Sequence, residues 1–133
     1  MFEQELYNKI TNKFNIEGFT LGFGFGEVIE SQKAPYIVMF PLNNDGTKQV
    51  LCDDNDYTDG DLSVQFNVYD VDYSNACYIA RQLDIFLAEL NLLDTYRILI
   101  NNHETTRGNA GTHPALSLET ITRRFTYTKL EEI

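Results

Sequence analysis

Leu62, Val64, Phe66 and Val68 alternate with Ser63, Gln65, Asn67 and Tyr69, and directly afterwards Ala76, Ile79, Ala80, Leu83, Leu87 and Leu90 fall at helical spacing. No other stretch constrains the fold as strongly. Alternation of this kind describes a strand with one apolar face, and the second pattern describes one stripe of an amphipathic helix. Ser74 is the expected N-cap, so the spacing predicts a strand over Leu62–Tyr69 and a helix from about Asn75 to Leu90. A chain built around such a unit needs a sheet with at least one helix laid on it.

The flanking sequence supplies the other elements. Phe2, Leu6, Ile10 and Phe14 recur every fourth residue, with Glu5 and Lys9 paired on another face, which predicts a first helix over Phe2–Ile16 stopped by Gly18. Phe19, Leu21, Phe23 and Phe25 alternate with Gly22, Gly24 and Gly26 and predict a strand over Phe19–Ile29. Tyr36–Phe40, set between Pro35 and Pro41, reads as a short buried strand, and Asn43-Asn-Asp-Gly46 as a turn after it. Lys48–Cys52 is a further candidate strand. Thr95–Asn101 alternates again, and a polar loop over Asn102–His113 leads to a last strand over Leu116–Lys129. The apolar phase slips there between Leu118 and Ile121, where a bulge or turn is expected.

The order α-β-β-(β)-β-α-β-β, with turn-length links between consecutive strands, predicts one α+β domain spanning residues 1–133. Its sheet is expected to be mostly antiparallel, with two helices packed on one face. At 133 residues, with nine Phe and eight Tyr, the chain has enough apolar material to fill a core. Cys52 and Cys77 read as reduced thiols of an intracellular protein, a single disulfide being the alternative. The N-terminus, MFEQELYNKI, has no apolar stretch of the signal-peptide kind, and the apolar runs are too short to cross a bilayer.

A formal net charge of −10 argues against a surface that grips phosphate backbones, which needs clustered Lys and Arg. Chemical motifs fail on their spacing. Gly22-Phe-Gly-Phe-Gly26 has Glu27 where a dinucleotide loop needs its third glycine. Aligning Gly60 with the glycine of an EF-hand puts Tyr57 and Phe66 where oxygen ligands belong, so Asp53, Asp54, Asp56, Asp59 and Asp61 read as a solvated acidic loop, a looser cation site being the alternative. His103 and His113 lie ten residues apart, which matches no common zinc spacing. His103 with Glu104 would form a poorly preorganised acid–base pair in a loop. Arg123 and Arg124 are expected to pair with acidic groups of this chain or a partner.

The central stretch resembles the tail-terminator, or tail-completion, proteins of long-tailed bacteriophages. Val64-Gln-Phe-Asn-Val-Tyr69 is similar to the strand common in that family, and Ala76 and Ala80 occupy positions on the helix that follows. The N-terminal helix, Pro35-Tyr-Ile-Val38 and Arg123-Arg-Phe-Thr-Tyr127 agree in order, so the resemblance spans most of the chain through short motifs. The sequence departs from the family pattern in the dense Asp53–Asp61 segment and the glycine-rich first strand.

The resemblance implies a virion protein without enzymatic activity or cofactor, assembled in the host cytoplasm. It would be one subunit of a homo-oligomeric ring, hexameric in the family, that caps the tail tube and joins it to the neck connector. DNA would pass through such a ring without specific binding, and no membrane is involved. On this reading Ser63, Gln65, Asn67 and Tyr69, with the Asp53–Asp61 carboxylates and Arg123 and Arg124, form a subunit interface or the lumen face. Lys at Gln65 and Asn67 is then expected to spare folding and impair assembly. A neck adaptor, head-completion or tail-tube subunit is the alternative within virion assembly. An acidic cytosolic binding or inhibitor module is the alternative of another class.

Overall fold

In the computed structural model, which describes residues 2–26, 34–44, 59–104 and 116–130, the strand-to-helix unit lies at the centre of the molecule. The elements run α1 (Phe2–Lys13), β1 (Gly22–Phe25), β2 (Tyr36–Asn44), β3 (Asp59–Asp70), α2 (Tyr73–Ala88), β4 (Tyr96–Glu104) and β5 (Ser117–Lys129). Five strands form one sheet in the order β1-β2-β3-β5-β4. β2, β3, β5 and β4 pair antiparallel in that sequence. The fold is α+β, with a mostly antiparallel sheet and both helices on one face. The candidate strand at Lys48–Cys52 lies outside the described residues.

β1 departs from the expected antiparallel arrangement. It pairs parallel to β2, with Gly22 opposite Tyr36 and Phe25 opposite Met39. In this register Phe23 and Phe25 share the helix face with Ile37 and Met39, so the period-two pattern is kept while the direction changes. Tyr7 of α1 meets the Phe25 ring edge-on at 5.3 Å.

α1 lies on the sheet through the four-residue stripe seen in the sequence. Phe2, Leu6, Ile10 and Phe14 are all buried in the main core with Val64, Phe66, Leu83 and Phe125. Burying each such side chain contributes roughly 1.5–3 kcal/mol. The Phe2 ring stacks on Tyr127 at 4.0 Å and meets Tyr96 edge-on at 5.5 Å. The helix ends at Lys13, beside the last buried residue of its stripe, and so stops short of Ile16. Gly18 does not cap it. Instead, with φ +91, Gly18 sits inside a turn closed by the Phe19 amide donating to the Ile16 carbonyl at 3.1 Å. A positive φ there favours glycine.

α2 begins earlier than Ser74 would place it. Asp72 is the N-cap, and its carboxylate accepts from the Ser74 amide at 3.0 Å. Ala76, Ile79, Ala80, Leu83 and Leu87 form its buried stripe, as the spacing required. At the other end Asn101 Nδ2, on β4, donates to the carbonyls of Leu87, in the last turn of α2, and of Leu90, just past it, and so ties the edge strand to the end of the helix.

The slip between Leu118 and Ile121 is not a bulge. β5 pairs with β3 in unbroken register from Ser117 opposite Asp70 to Thr128 opposite Asp59. Leu118 and Ile121 point to opposite faces, and both faces hold apolar residues. Register shifts occur instead at Pro41–Asn43 of β2 and Ile98–Ile100 of β4. Pro41 has no amide to donate to the ladder, which accounts for the first. β2 runs through Asn43 and Asn44, where a turn was expected, while Asp45 and Gly46 lie outside the described residues.

Candidate functional site

Ser63, Gln65, Asn67 and Tyr69 point away from the helices, as their alternation demands, yet they are not an open surface. Gln65 and Asn67 are 0 % exposed, and Ser63 and Tyr69 are buried as well. The expectation that this face is free for a neighbour or a channel is therefore corrected. β3 is the middle strand of the sheet, flanked by β2 and β5, and its side chains from Leu62 to Asp70 are buried on both faces. Alternation in sequence separates two faces but does not reveal which of them meets water.

These residues bind one another in a row. Gln65 Nε2 donates to Asn67 Oδ1 at 2.9 Å, and Asn67 Nδ2 donates to the Tyr69 hydroxyl at 3.3 Å. Thr120 on β5 adds its hydroxyl to Asn67 Oδ1 at 3.1 Å. Tyr69 stacks on Tyr36 at 4.8 Å, and with Val38 these two rings form a second, smaller core against Phe40, Leu116 and Leu118. Burial pushes the Tyr69 phenol above its ordinary range, and the hydrogen bond from Asn67 offsets part of that rise. Such a row satisfies buried polar groups at modest net gain, whereas leaving one of them without a partner is costly.

The two arginines part company because they are adjacent in a strand. Arg123 faces the helices and is 5 % exposed. Its Nη1 donates to Asp84 at 2.7 Å, its Nε to Asn101 Oδ1 at 2.8 Å and its Nη2 to the Asn101 carbonyl at 3.1 Å. Arg124 faces the other way, 3.5 Å from Asp61, whose second carboxylate oxygen accepts from the Thr126 hydroxyl. Both arginines thus pair with acidic groups of their own chain. Asp53, Asp54 and Asp56 lie outside the described residues, as does the side chain of Asp59; the backbone of Asp59 opens β3.

His103 and Glu104 belong to β4 and not to the expected polar loop. Their side chains leave the strand on opposite faces. His103 Nδ1 is 3.7 Å from Asp84 on the helix side, while Glu104 accepts from the Ser63 hydroxyl at 2.8 Å on the other. That separation removes the acid–base pairing considered from sequence. His113 lies outside the described residues.

A third polar group, with no sequence signal, sits at the start of α2. The Tyr73 hydroxyl and the Cys77 thiol both donate to Glu119 Oε2, at 3.1 and 3.3 Å. Hydrogen bonding with Cys77, and then with the Glu119 carboxylate, pushes the Tyr73 phenol up to about 12. Cys77 is a free thiol, and Cys52 lies outside the described residues. Among the described residues no group of three or more His, Cys, Asp or Glu side chains is placed to hold a metal ion. No helix among them is long and apolar enough to cross a membrane.

The exposed apolar residues are the remaining surface feature. On the edge strand β4, Leu99 and Ile100 are 57 % and 51 % exposed, at the register shift. Upstream of them the outer edge is occupied, because Ile98 donates its amide to the Asn91 carbonyl and Leu93 donates to Tyr96. Val71, just ahead of α2, and Tyr73, Tyr78 and Ile85 on the helix are also exposed. Neither a scan of known protein families nor a search of characterised proteins finds a match to this chain.

Proposed function

We propose that this chain is a structural virion protein, a tail-terminator subunit that assembles into a ring capping the tail tube and meeting the neck connector. The observation that carries the reading is the β3–α2 unit. Val64–Tyr69, the stretch with the family resemblance, covers most of the second half of the central strand, and Ala76 and Ala80 are buried where α2 meets the sheet. The same element order, with α1 ahead of it and the Arg123–Tyr127 strand behind, agrees with the resemblance along most of the chain.

The contact surfaces in this proposal differ from those expected from sequence. Gln65 and Asn67 serve the interior, so subunit contacts fall to exposed groups, with Leu99 and Ile100 on the sheet edge the first to test. The formal charge of −10, repeated around a ring, gives a field that repels a passing duplex and so lets it slide. The role needs no cofactor and no catalysis, and it places the protein in the virion, at the tail or neck.

The test is tube assembly in vitro. Tail-tube subunits of the same phage should polymerise to uncontrolled length alone. With this protein added, the tubes should be shorter, with one end capped, as seen by negative-stain microscopy. Tubes whose length and ends are unchanged at saturating protein would refute the proposal.

A further inference from the structure

We draw no further inference here: the strongest candidate, the side-chain cluster at the start of α2 where the Tyr73 hydroxyl and the Cys77 thiol share Glu119 Oε2, rests on a lone cysteine with nothing beside it that points to a ligand.

Discussion

Arg123 on β5 reaches Asp84 on α2, Nη1 to Oδ1, at 2.7 Å, and the same guanidinium holds both the side chain and the carbonyl of Asn101 on β4. Asn101 in turn donates to the Leu87 and Leu90 carbonyls at the C-terminal end of α2. One arginine thereby joins a helix, the strand beneath it and the edge strand beyond. The bidentate use of a planar guanidinium is what makes Arg, and not Lys, fit this position.

Arg123→Met should therefore lower stability by about 2–3 kcal/mol, since it strands Asp84 and Asn101 beside a buried site. Asp84 keeps some contact with water, at one-third side-chain exposure, which holds the cost below that of a fully buried pair. Urea unfolding of Arg123→Met, Asp84→Asn and the double variant should give a coupling of about 1 kcal/mol or more. Additive effects would show that the pair contributes no energy of its own.

Gln65→Lys should destabilise the fold by about 3 kcal/mol or more, because it puts a charge where Gln65 is 0 % exposed and bonded to Asn67. Thermal unfolding followed by circular dichroism reads this directly. A variant as stable as the parent would mean that this face of β3 is open, as the sequence alone suggested.

Alkaline pH should weaken the protein, and the sign follows from the phenols. Tyr73 is held up to about 12 by Cys77 and Glu119, and burial raises Tyr7 and Tyr69. In the unfolded chain these groups ionise near their ordinary value, about 10. Their contribution is fully present below about pH 10 and is lost as pH rises towards 12, where the unfolded state has released protons that the folded state retains. Absorbance titration near 295 nm should show a late-ionising phenol that disappears in Tyr73→Phe. Unchanged late titration in that variant would assign the behaviour to another tyrosine.

Leu99→Lys combined with Ile100→Lys should leave folding stability within about 0.5 kcal/mol, as expected for exposed positions. On the proposed role it should reduce self-association strongly, because charged side chains on an edge strand oppose contact between copies. Circular dichroism and sedimentation velocity on the same sample separate the two effects. Full assembly of a folded double-lysine protein would exclude this edge as the contact.

Where one apolar period ran unbroken, the fold was legible in the sequence. The stripes Phe2–Phe14 and Ala76–Leu87 and the alternation Leu62–Val68 appear in the core as read. Ends were harder, because local chemistry and not period sets them: Asp72 outcompetes Ser74 as the cap, and α1 ends at Lys13 although Phe14 and Ile16 beyond it still pack on the core. The direction of β1 was not legible, since parallel and antiparallel pairing both give its phenylalanines the helix face.

The candidate site was the least legible part. Polar residues at Gln65 and Asn67 look like surface until β2 and β5 are known to flank them and Thr120 is brought alongside. Asp84 falls off the apolar stripe of its helix, where a charged residue looks like plain surface. Asn101 and Glu119 gave no signal at all, because Leu87, Leu90 and Arg123 lie 11 or more residues from the one, and Tyr73 and Cys77 lie more than 40 from the other.

Self-assembly is read most directly by light scattering coupled to size-exclusion chromatography on the purified protein, alone and with tail-tube subunits. A terminator subunit should give a discrete ring several times the 15.3 kDa mass of the chain, six times that mass if the ring is hexameric. A protein that remains monomeric at high concentration, and also in the presence of tail-tube subunits, would contradict that role.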